Sequence, residues 1–211
     1  MAETMSMNRV IHAAVRRDLA RFLNALEAFP DGDKQRAAQL GTAWDFFYGE
    51  LDYHHRSEHA IAWPALRTVG ADDALLGQMD AEHDKLAEAL SAAGEKMRAL
   101  RQTPTKAAAD EACAAFEALK AVAEEHLEHE ERDVDPVYVA NRNTPEMKAM
   151  GRRFGRDRSP RHAADFFAWL ENGASAEERA GLRAEVPAPV VAIVGRLLGR
   201  RYRSQVAPVW R

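Results

Sequence analysis

The stretch LDYHHRSEHAIAWPAL, residues 51–66, carries three histidines and a glutamate between positions 54 and 59. Imidazole and carboxylate side chains are nitrogen and oxygen donors for metal ions such as iron, manganese and zinc. Residues i and i+4 lie on one face of a helix, so His54 and Glu58 can be presented to one point. The same residues could also form an ordinary solvated helix face, and the hexapeptide alone does not separate these interpretations.

A second segment, HLEHEERD at 126–133, repeats the spacing with His126 and Glu130. Two further histidines, His12 and His83, lie in register with apolar residues at helical spacing. One HxxxE pair is a weak signal, because it recurs by chance in helical proteins. Two such pairs with two single histidines form a specific pattern. The candidate metal ligands are His12, His54, Glu58, His83, His126 and Glu130.

The elements that must position these residues are helices. Apolar residues at helical spacing predict four of them, at about 7–28, 35–63, 73–101 and 105–132. Asp72 is expected to cap the third helix, and Pro64 to bend or end the second. Four long helices with short connections predict an all-α, up-down-up-down four-helix bundle with a C-terminal helical extension.

The four histidines of this pattern fall at one depth of the predicted bundle. His12 lies 16 residues before the first hairpin, and His54 about 19 after it. His83 lies 18 residues before the second hairpin, and His126 about 21 after it. With a rise of about 1.5 Å per residue, all four lie roughly 25–30 Å from that end of the bundle. Scattered surface histidines have no reason to share a layer.

Metal binding explains why such groups would be buried together. Isolated buried histidines and glutamates are costly, and two facing carboxylates more so. Six side chains suit two metal ions, each held by two histidines and bridged by both glutamates. Without thiolates, iron or manganese fits better than a structural zinc. His55, His59 and His129 are expected to be solvated or outside direct ligation, although a modest helix rotation could exchange His55 for His54.

Composition limits the class of protein. The chain has 211 residues, 46% hydrophobic and 29% charged, as in ordinary soluble globular proteins. Its single cysteine, Cys113, excludes an intramolecular disulfide and fits a reducing cytosol. The opening segment MAETMSMNRVIHAAVRRDLARF has no apolar signal core, and no apolar run is long enough for a bilayer. We therefore expect a cytoplasmic protein without a membrane partner.

The chain changes character after about residue 140. Residues 151–211 carry 12 arginines, no lysine and 6 acidic residues, whereas residues 1–150 have 17 basic and 27 acidic residues. Segments near 159–171, 175–185 and 188–204 look helical and amphipathic, and the stretch before them turn-rich. Because the arginines alternate with aromatic residues and leucines, we expect docking on the acidic bundle or a homodimer contact rather than nucleic-acid binding. The predicted division is a metal-binding bundle, 1–140, and an Arg-rich extension, 141–211.

These motifs resemble the hemerythrin-like (HHE cation-binding) family. The resemblance covers about residues 7–140 and is carried by IHAAVRRDL, HHRSEHAIAWPAL, EHDKLAEAL and HLEHEERDVDP. It implies a four-helix bundle with an oxo- or hydroxo-bridged pair of iron ions, manganese being the less favoured metal. By the same resemblance, His12 and His54 would hold one iron and His83 and His126 the other. Glu58 and Glu130 would bridge them.

The chain departs from the oxygen-carrying members of that family at two positions. Those members have a second histidine one turn after the one on helix three, where this chain has Ala87. They have a bridging aspartate five residues after the last histidine, where this chain has Glu131, with Glu130 the better candidate. The missing imidazole would leave room for an exogenous ligand, which argues against reversible dioxygen carriage.

The whole pattern, with the extension ending in RYRSQVAPVW, looks like the hemerythrin-like proteins of mycobacteria and related actinobacteria. That resemblance implies an oxidoreductase of small oxidants. Its reactions would be disproportionation of hydrogen peroxide, as in a catalase, and removal of nitric oxide. The alternative is an oxygen-sensing, redox-sensing or iron-binding module without turnover.

Overall fold

Four long helices form the bundle. The computed structural model describes residues 5–186 and 199–211. Its helices are α1 (Met7–Glu27), α2 (Lys34–Ser57), α3 (Trp63–Thr68), α4 (Asp73–Gln102), α5 (Lys106–Asp133), α6 (Asp135–Asn141), α7 (Pro145–Asp157), α8 (Pro160–Glu171) and α9 (Ala176–Glu185). A π-helical turn, Glu58–Ala62, joins α2 to α3, and the chain ends in a π turn, Tyr202–Val206, and a 3₁₀ turn, Ala207–Trp210.

The four long helices of the bundle pack along one another. In the bundle α5 packs along both α1 and α4, and α2 packs along α4. The described residues contain no strand, so the prediction of an all-α four-helix bundle is confirmed. None of the helices in these residues is long and apolar enough to cross a membrane.

Side-chain caps begin the four long helices where the sequence predicts. Each cap is a serine, threonine or aspartate whose side-chain oxygen accepts from a backbone N–H two or three residues later, which satisfies a donor that the first turn leaves free. The caps are Ser6, Asp33, Asp72 and Thr105.

Pro64 was expected to bend or end the second helix, and the chain remains helical through it. Proline has no N–H to donate, and its ring excludes the carbonyl four residues earlier from an α-helical turn. The chain widens into the π turn instead, with the N–H of Trp63 donating to the carbonyl of Glu58. Helical structure then continues through α3 to Thr68. The widened turn lies directly beside the candidate ligands of α2.

An aromatic cluster fills the bundle on the hairpin side of those ligands. The Phe22 ring lies 4.8 Å from Phe116 and 5.7 Å from Phe47, measured between ring centroids. Trp44 lies 5.2 Å from Phe116, and Trp210 from the chain's last turn lies 4.9 Å from Phe22. This cluster holds the helix register on which the depth of the histidines depends.

The extension is more helical than expected. The stretch predicted to be turn-rich contains α7, which Thr144 caps and Pro145 begins. Its sequence hides this helix because charged residues and glycines outnumber its apolar residues. Met147, Met150 and Phe154 nevertheless share one face and pack in the cluster that contains Trp63 and Leu66. Helices α8 and α9 agree with the segments expected near 159–171 and 175–185. The segment expected near 188–204 falls largely outside the described residues.

Polar contacts attach the extension to α1. Arg17 Nη1 lies 2.8 Å from Glu178 Oε2, and Trp169 Nε1 donates to Asp18 Oδ2 at 2.8 Å. Asp18 is 1% exposed, and burial raises the pKa of its carboxyl against the opposing charge of Arg21. The division into a bundle and a separate extension stays a prediction.

Trp169→Phe is expected to destabilise the protein through the Asp18 contact. Removing the indole N–H leaves a buried carboxylate oxygen without that donor, which costs roughly 1–3 kcal/mol. Urea unfolding measures the loss. The matched control is Trp210→Phe, because Trp210 Nε1 has no hydrogen-bond partner among the described residues. Equal midpoints for the two variants would contradict the prediction.

Candidate metal centre

Seven histidine and glutamate side chains converge inside the bundle. Helix α1 contributes one, the end of α2 and its π turn three, α4 one and α5 two. All are at most 9% exposed, and they lie in the common layer that helix lengths predict. The residues are His12, His54, His55, Glu58, His83, His126 and Glu130.

These side chains form two groups of donor atoms, within each of which all the atoms lie within 4.8 Å of one another. The first group, called here group A, is His12, His54, Glu58 and Glu130. The second, group B, is His55, His83 and His126. All six residues predicted from the sequence are therefore brought together, and one further residue joins them.

The two glutamates lie between the groups. Glu58 Oε1 is 3.1 Å from His54 Nε2, while Glu58 Oε2 is 3.4 Å from His83 Nε2. Glu130 Oε2 is 3.1 Å from His12 Nε2 and 3.9 Å from His126 Nε2. Each carboxylate therefore faces both groups at once, which is the arrangement that a ligand bridging two metal ions needs.

His55 occupies a position that differs from the predicted one. It was expected to face away from the site, yet it is 8% exposed and its ring stacks on His83 at 4.2 Å. Successive residues turn by roughly 100° around a helix, so Glu58 falls between His54 and His55 in angle. Because the inner face of a bundle helix is at least about 100° wide, it accommodates both histidines.

Five imidazoles, not four, therefore surround the candidate centre. The imidazole that is missing at Ala87 of α4 is matched by His55 from α2, and group B contains three histidines against two in group A. The structure offers three imidazoles to group B, where the sequence predicts two. The absence of a histidine at Ala87 is therefore not by itself an argument against dioxygen binding. The space for an exogenous ligand depends on group A.

Two outer carboxylates orient the histidines. Glu131 Oε1 lies 2.9 Å from His12 Nδ1 and 2.6 Å from Arg16 Nη1. Glu82 Oε2 lies 3.1 Å from His126 Nδ1. A carboxylate on Nδ1 leaves Nε2 free for a metal, and such outer partners are typical of metal sites. Neither role was predicted: Glu82 falls in no spacing motif, and Glu131 was weighed only as an alternative bridging ligand.

The remaining two histidines of this region stay outside both groups. The side chain of His59 is 72% exposed and lies 3.1 Å from Asp80 Oδ1. His129 is partly buried between Glu82 and Asp133, at 2.7 and 3.2 Å. Since Glu82 also contacts His126, His129 belongs to the hydrogen-bonded surround of the centre.

Burial keeps most of the clustered imidazoles neutral. Burial and repulsion from neighbouring histidines hold the pKa of His54 and of His55 well below the usual value. Burial lowers the pKa of His83 to about 4, and it also lowers that of His126. Neutral imidazole is the form that binds metal ions, so these side chains are ready to ligate at neutral pH.

The pKa values of the two glutamates shift in opposite directions. Burial and the charge of Glu130 raise the pKa of Glu58 well above its usual range. Burial alone would raise the pKa of Glu130 too, but the His12 ring, whose Nε2 lies 3.1 Å from Glu130 Oε2, lowers it to about 2. Facing carboxylates cannot both ionise at little cost without a cation between them.

A metal pair fits this donor set. Among the described residues, several buried nitrogen and oxygen atoms that could bind a metal ion lack a hydrogen-bond partner. Buried polar atoms without a partner are rare in native proteins and need an explanation. In this centre they are His12 Nε2, His54 Nε2, His55 Nε2, Glu58 Oε2 and Glu130 Oε2. All come from imidazole or carboxylate, a set that favours iron or manganese. Cys113 lies on α5 outside both groups.

A chamber of about 510 Å³ lies beside group A. Its inner wall includes His54, Glu58 and Glu130, whereas no histidine of group B lines it in the described parts of the chain. Its outer wall comes from α7 and α8, where the exposed Gly151 and Gly155 mark its mouth. Group A is therefore the group that a small molecule entering from solvent would meet.

A four-helix bundle with converging histidines and carboxylates defines a metal-binding helical protein. The family model described as "Hemerythrin HHE cation binding domain" matches residues 9–138, which is more than half of the chain. The chain belongs to the hemerythrin family. Comparison with curated proteins gave no match, and comparison with solved structures gave none either.

Proposed function

We propose that this protein is a non-haem diiron protein that disproportionates hydrogen peroxide, with nitric oxide as a second small substrate. Group A would hold one iron through His12 and His54, and group B the other through His55, His83 and His126. Glu58 and Glu130 would bridge them. This keeps the six predicted ligands and adds His55. We also propose that the protein is related to the actinobacterial hemerythrin-like proteins and that it lies in the cytoplasm.

One observation supports turnover above all. Group A has fewer imidazoles than group B, and it is the group beside the chamber. A metal ion there would have room for an exogenous ligand that arrives from solvent. A dioxygen carrier has to keep water away from its bound ligand, so a wide chamber at the less saturated group favours reaction over carriage.

The chain's own residues prepare the site for such a reaction. Two iron ions held by these residues would supply two-electron chemistry, in which one peroxide is reduced to water and a second is oxidised to dioxygen without an external reductant. Glu58 and Glu130 offset the metal charge, and neutral imidazoles leave the net charge low. Glu131 and Glu82 hold the rings of His12 and His126 in position.

The unequal number of imidazoles favours a second candidate, reversible binding of dioxygen as a sensor. Three histidines on one side and two on the other create an asymmetric centre with one preferred position for a ligand. Helices α7 and α8 form the outer wall of the chamber, so a ligand beside group A could alter their packing. A sensor predicts a reversible spectral change with dioxygen and no oxygen evolution from peroxide.

The test is peroxide turnover by purified, iron-loaded protein. We expect two iron ions per chain, oxygen evolution from peroxide in an electrode cell, and faster disappearance of nitric oxide than in buffer. His54→Ala should abolish these activities. The control His59→Ala, at an exposed histidine outside both groups, should retain them. Protein that holds two iron ions yet neither evolves oxygen nor consumes nitric oxide would exclude the proposed reaction.

A further inference from the structure

The chamber beside group A is far larger than small oxidants require. Peroxide, nitric oxide and dioxygen are each close in size to water, whose share of liquid volume is about 30 Å³. The chamber measures about 510 Å³. Sites for drug-sized organic ligands span roughly 300–1,000 Å³. Its volume is therefore that of an organic-molecule site rather than of a channel for small oxidants.

The wall of the chamber is mainly apolar. Four helices contribute aliphatic and aromatic side chains to it. They are Ile11 of α1, Trp63 and Leu66 of α3, Phe154 of α7 and Phe166 of α8. Among these, Trp63 and Leu66 are almost fully buried. An apolar molecule entering the chamber would gain by leaving water, at about 25 cal/mol for each Å² of apolar surface that it buries.

Among the described residues, Arg158 is the arginine that lines the chamber, and a carboxylate balances its charge. Arg158 Nη1 lies 2.5 Å from Glu50 Oε2, and both side chains are largely buried. The guanidinium also lies 3.9 Å from the ring centre of Tyr53 and 4.2 Å from that of Phe166. Held between two rings and a carboxylate, Arg158 completes the wall and leaves no free charge for an anionic ligand.

One wall atom lacks a partner and lies away from the metal groups. Asp135 is 5% exposed, and its Oδ2 accepts from Arg9 Nε at 2.8 Å. Its other oxygen, Oδ1, has no hydrogen-bond partner among residues 5–186 and 199–211. A buried acceptor left unsatisfied costs roughly 1–3 kcal/mol. Because this oxygen is itself buried, a ligand in the chamber does not reach it, and Asp135 closes the wall without offering a polar contact.

The outer half of the chamber lies beyond the matched family domain, which ends at residue 138. Helix α7 presents Gly151 and Gly155, one turn apart, at the mouth. A Cβ at either glycine would meet no heavy atom within 4 Å. Glycine in a helix interior costs up to about 1 kcal/mol relative to alanine, and at both positions there is space for a larger side chain.

We propose that this chamber binds a neutral, largely apolar organic molecule in a position beside group A. The binding rests on the chamber alone. The molecule's access to a metal ion rests on the function proposed above.

The experiment measures binding of N-phenyl-1-naphthylamine, a neutral aromatic amine with one N–H whose fluorescence rises in apolar surroundings. We expect saturable binding by the full chain. Gly155→Trp should weaken it at least about tenfold, or 1.4 kcal/mol, by filling the mouth. The matched control is Gly77→Trp, at an exposed glycine of α4 that also meets nothing within 4 Å and does not line the chamber. It should bind as the wild type does.

A second ligand tests whether the apolar wall is what holds the molecule. In 1-benzylnaphthalene a CH₂ replaces the N–H, and we expect equal binding; much weaker binding would overturn the apolar character assigned to the site. Equal binding by Gly155→Trp and Gly77→Trp, or no saturable binding at all, would overturn the chamber proposal. Metal content and oxygen evolution, measured on the same samples, separate that failure from failure of the proposed function.

Discussion

Replacing Glu58 with alanine is expected to remove metal from both groups at once. One oxygen of Glu58 faces His54 of group A and the other faces His83 of group B, so a single change removes a donor from each. The loss should exceed the roughly 10–100-fold fall in affinity that follows loss of an outer-sphere partner. Elemental analysis after dialysis measures it, with near-stoichiometric metal expected in the wild type and almost none in Glu58→Ala.

Loss of metal in this variant can be distinguished from loss of the fold. In the metal-free protein Glu58 is a buried carboxyl whose pKa burial and Glu130 raise, so its removal should not lower the free energy of unfolding. His59→Ala is the matched control and should keep its metal. His55→Ala, by contrast, should lose the metal of group B. Full metal content in Glu58→Ala would contradict the bridging role.

Removing the metal from the wild type is expected to lower its melting temperature sharply. A ligand that binds the folded state alone stabilises it by about 4 kcal/mol when its free concentration is about 1,000 times Kd. At about 2–4 °C per kcal/mol for a chain of this size, the fall should be roughly 8–16 °C. The cause is the set of buried, unpartnered donor atoms that no cation then satisfies. Calorimetry with and without a chelator measures it.

The control for this second prediction is the Glu58→Ala variant. If the chelator acts by removing metal from the two groups, this variant should melt at the same temperature with and without it. Addition of ferrous iron should restore the wild-type temperature and leave the variant unchanged. An equal shift in both proteins would mean that the chelator acts elsewhere and that the groups do not hold the stabilising metal.

The sequence alone predicts much of this protein because the relevant information is local. Helical periodicity and capping residues such as Asp72 and Thr105 determine where each long helix begins. Short hairpins make the helices antiparallel, and equal distances along them then bring His12 and His126 to one depth. Those two regularities are enough to predict the bundle and the six residues that the structure brings together.

Tertiary structure decided what depends on rotation about a helix axis and on packing between distant segments. His54 and His55 both face the interior because the inner face of α2 is wide, which periodicity cannot resolve within one step of roughly 100°. Glu82 reaches His126 across two helices, a contact that no spacing encodes. Charged residues and glycines obscure the narrow apolar face of α7 in the sequence, so its position beside group A, and the chamber that results, is visible only in how the extension folds back on the bundle.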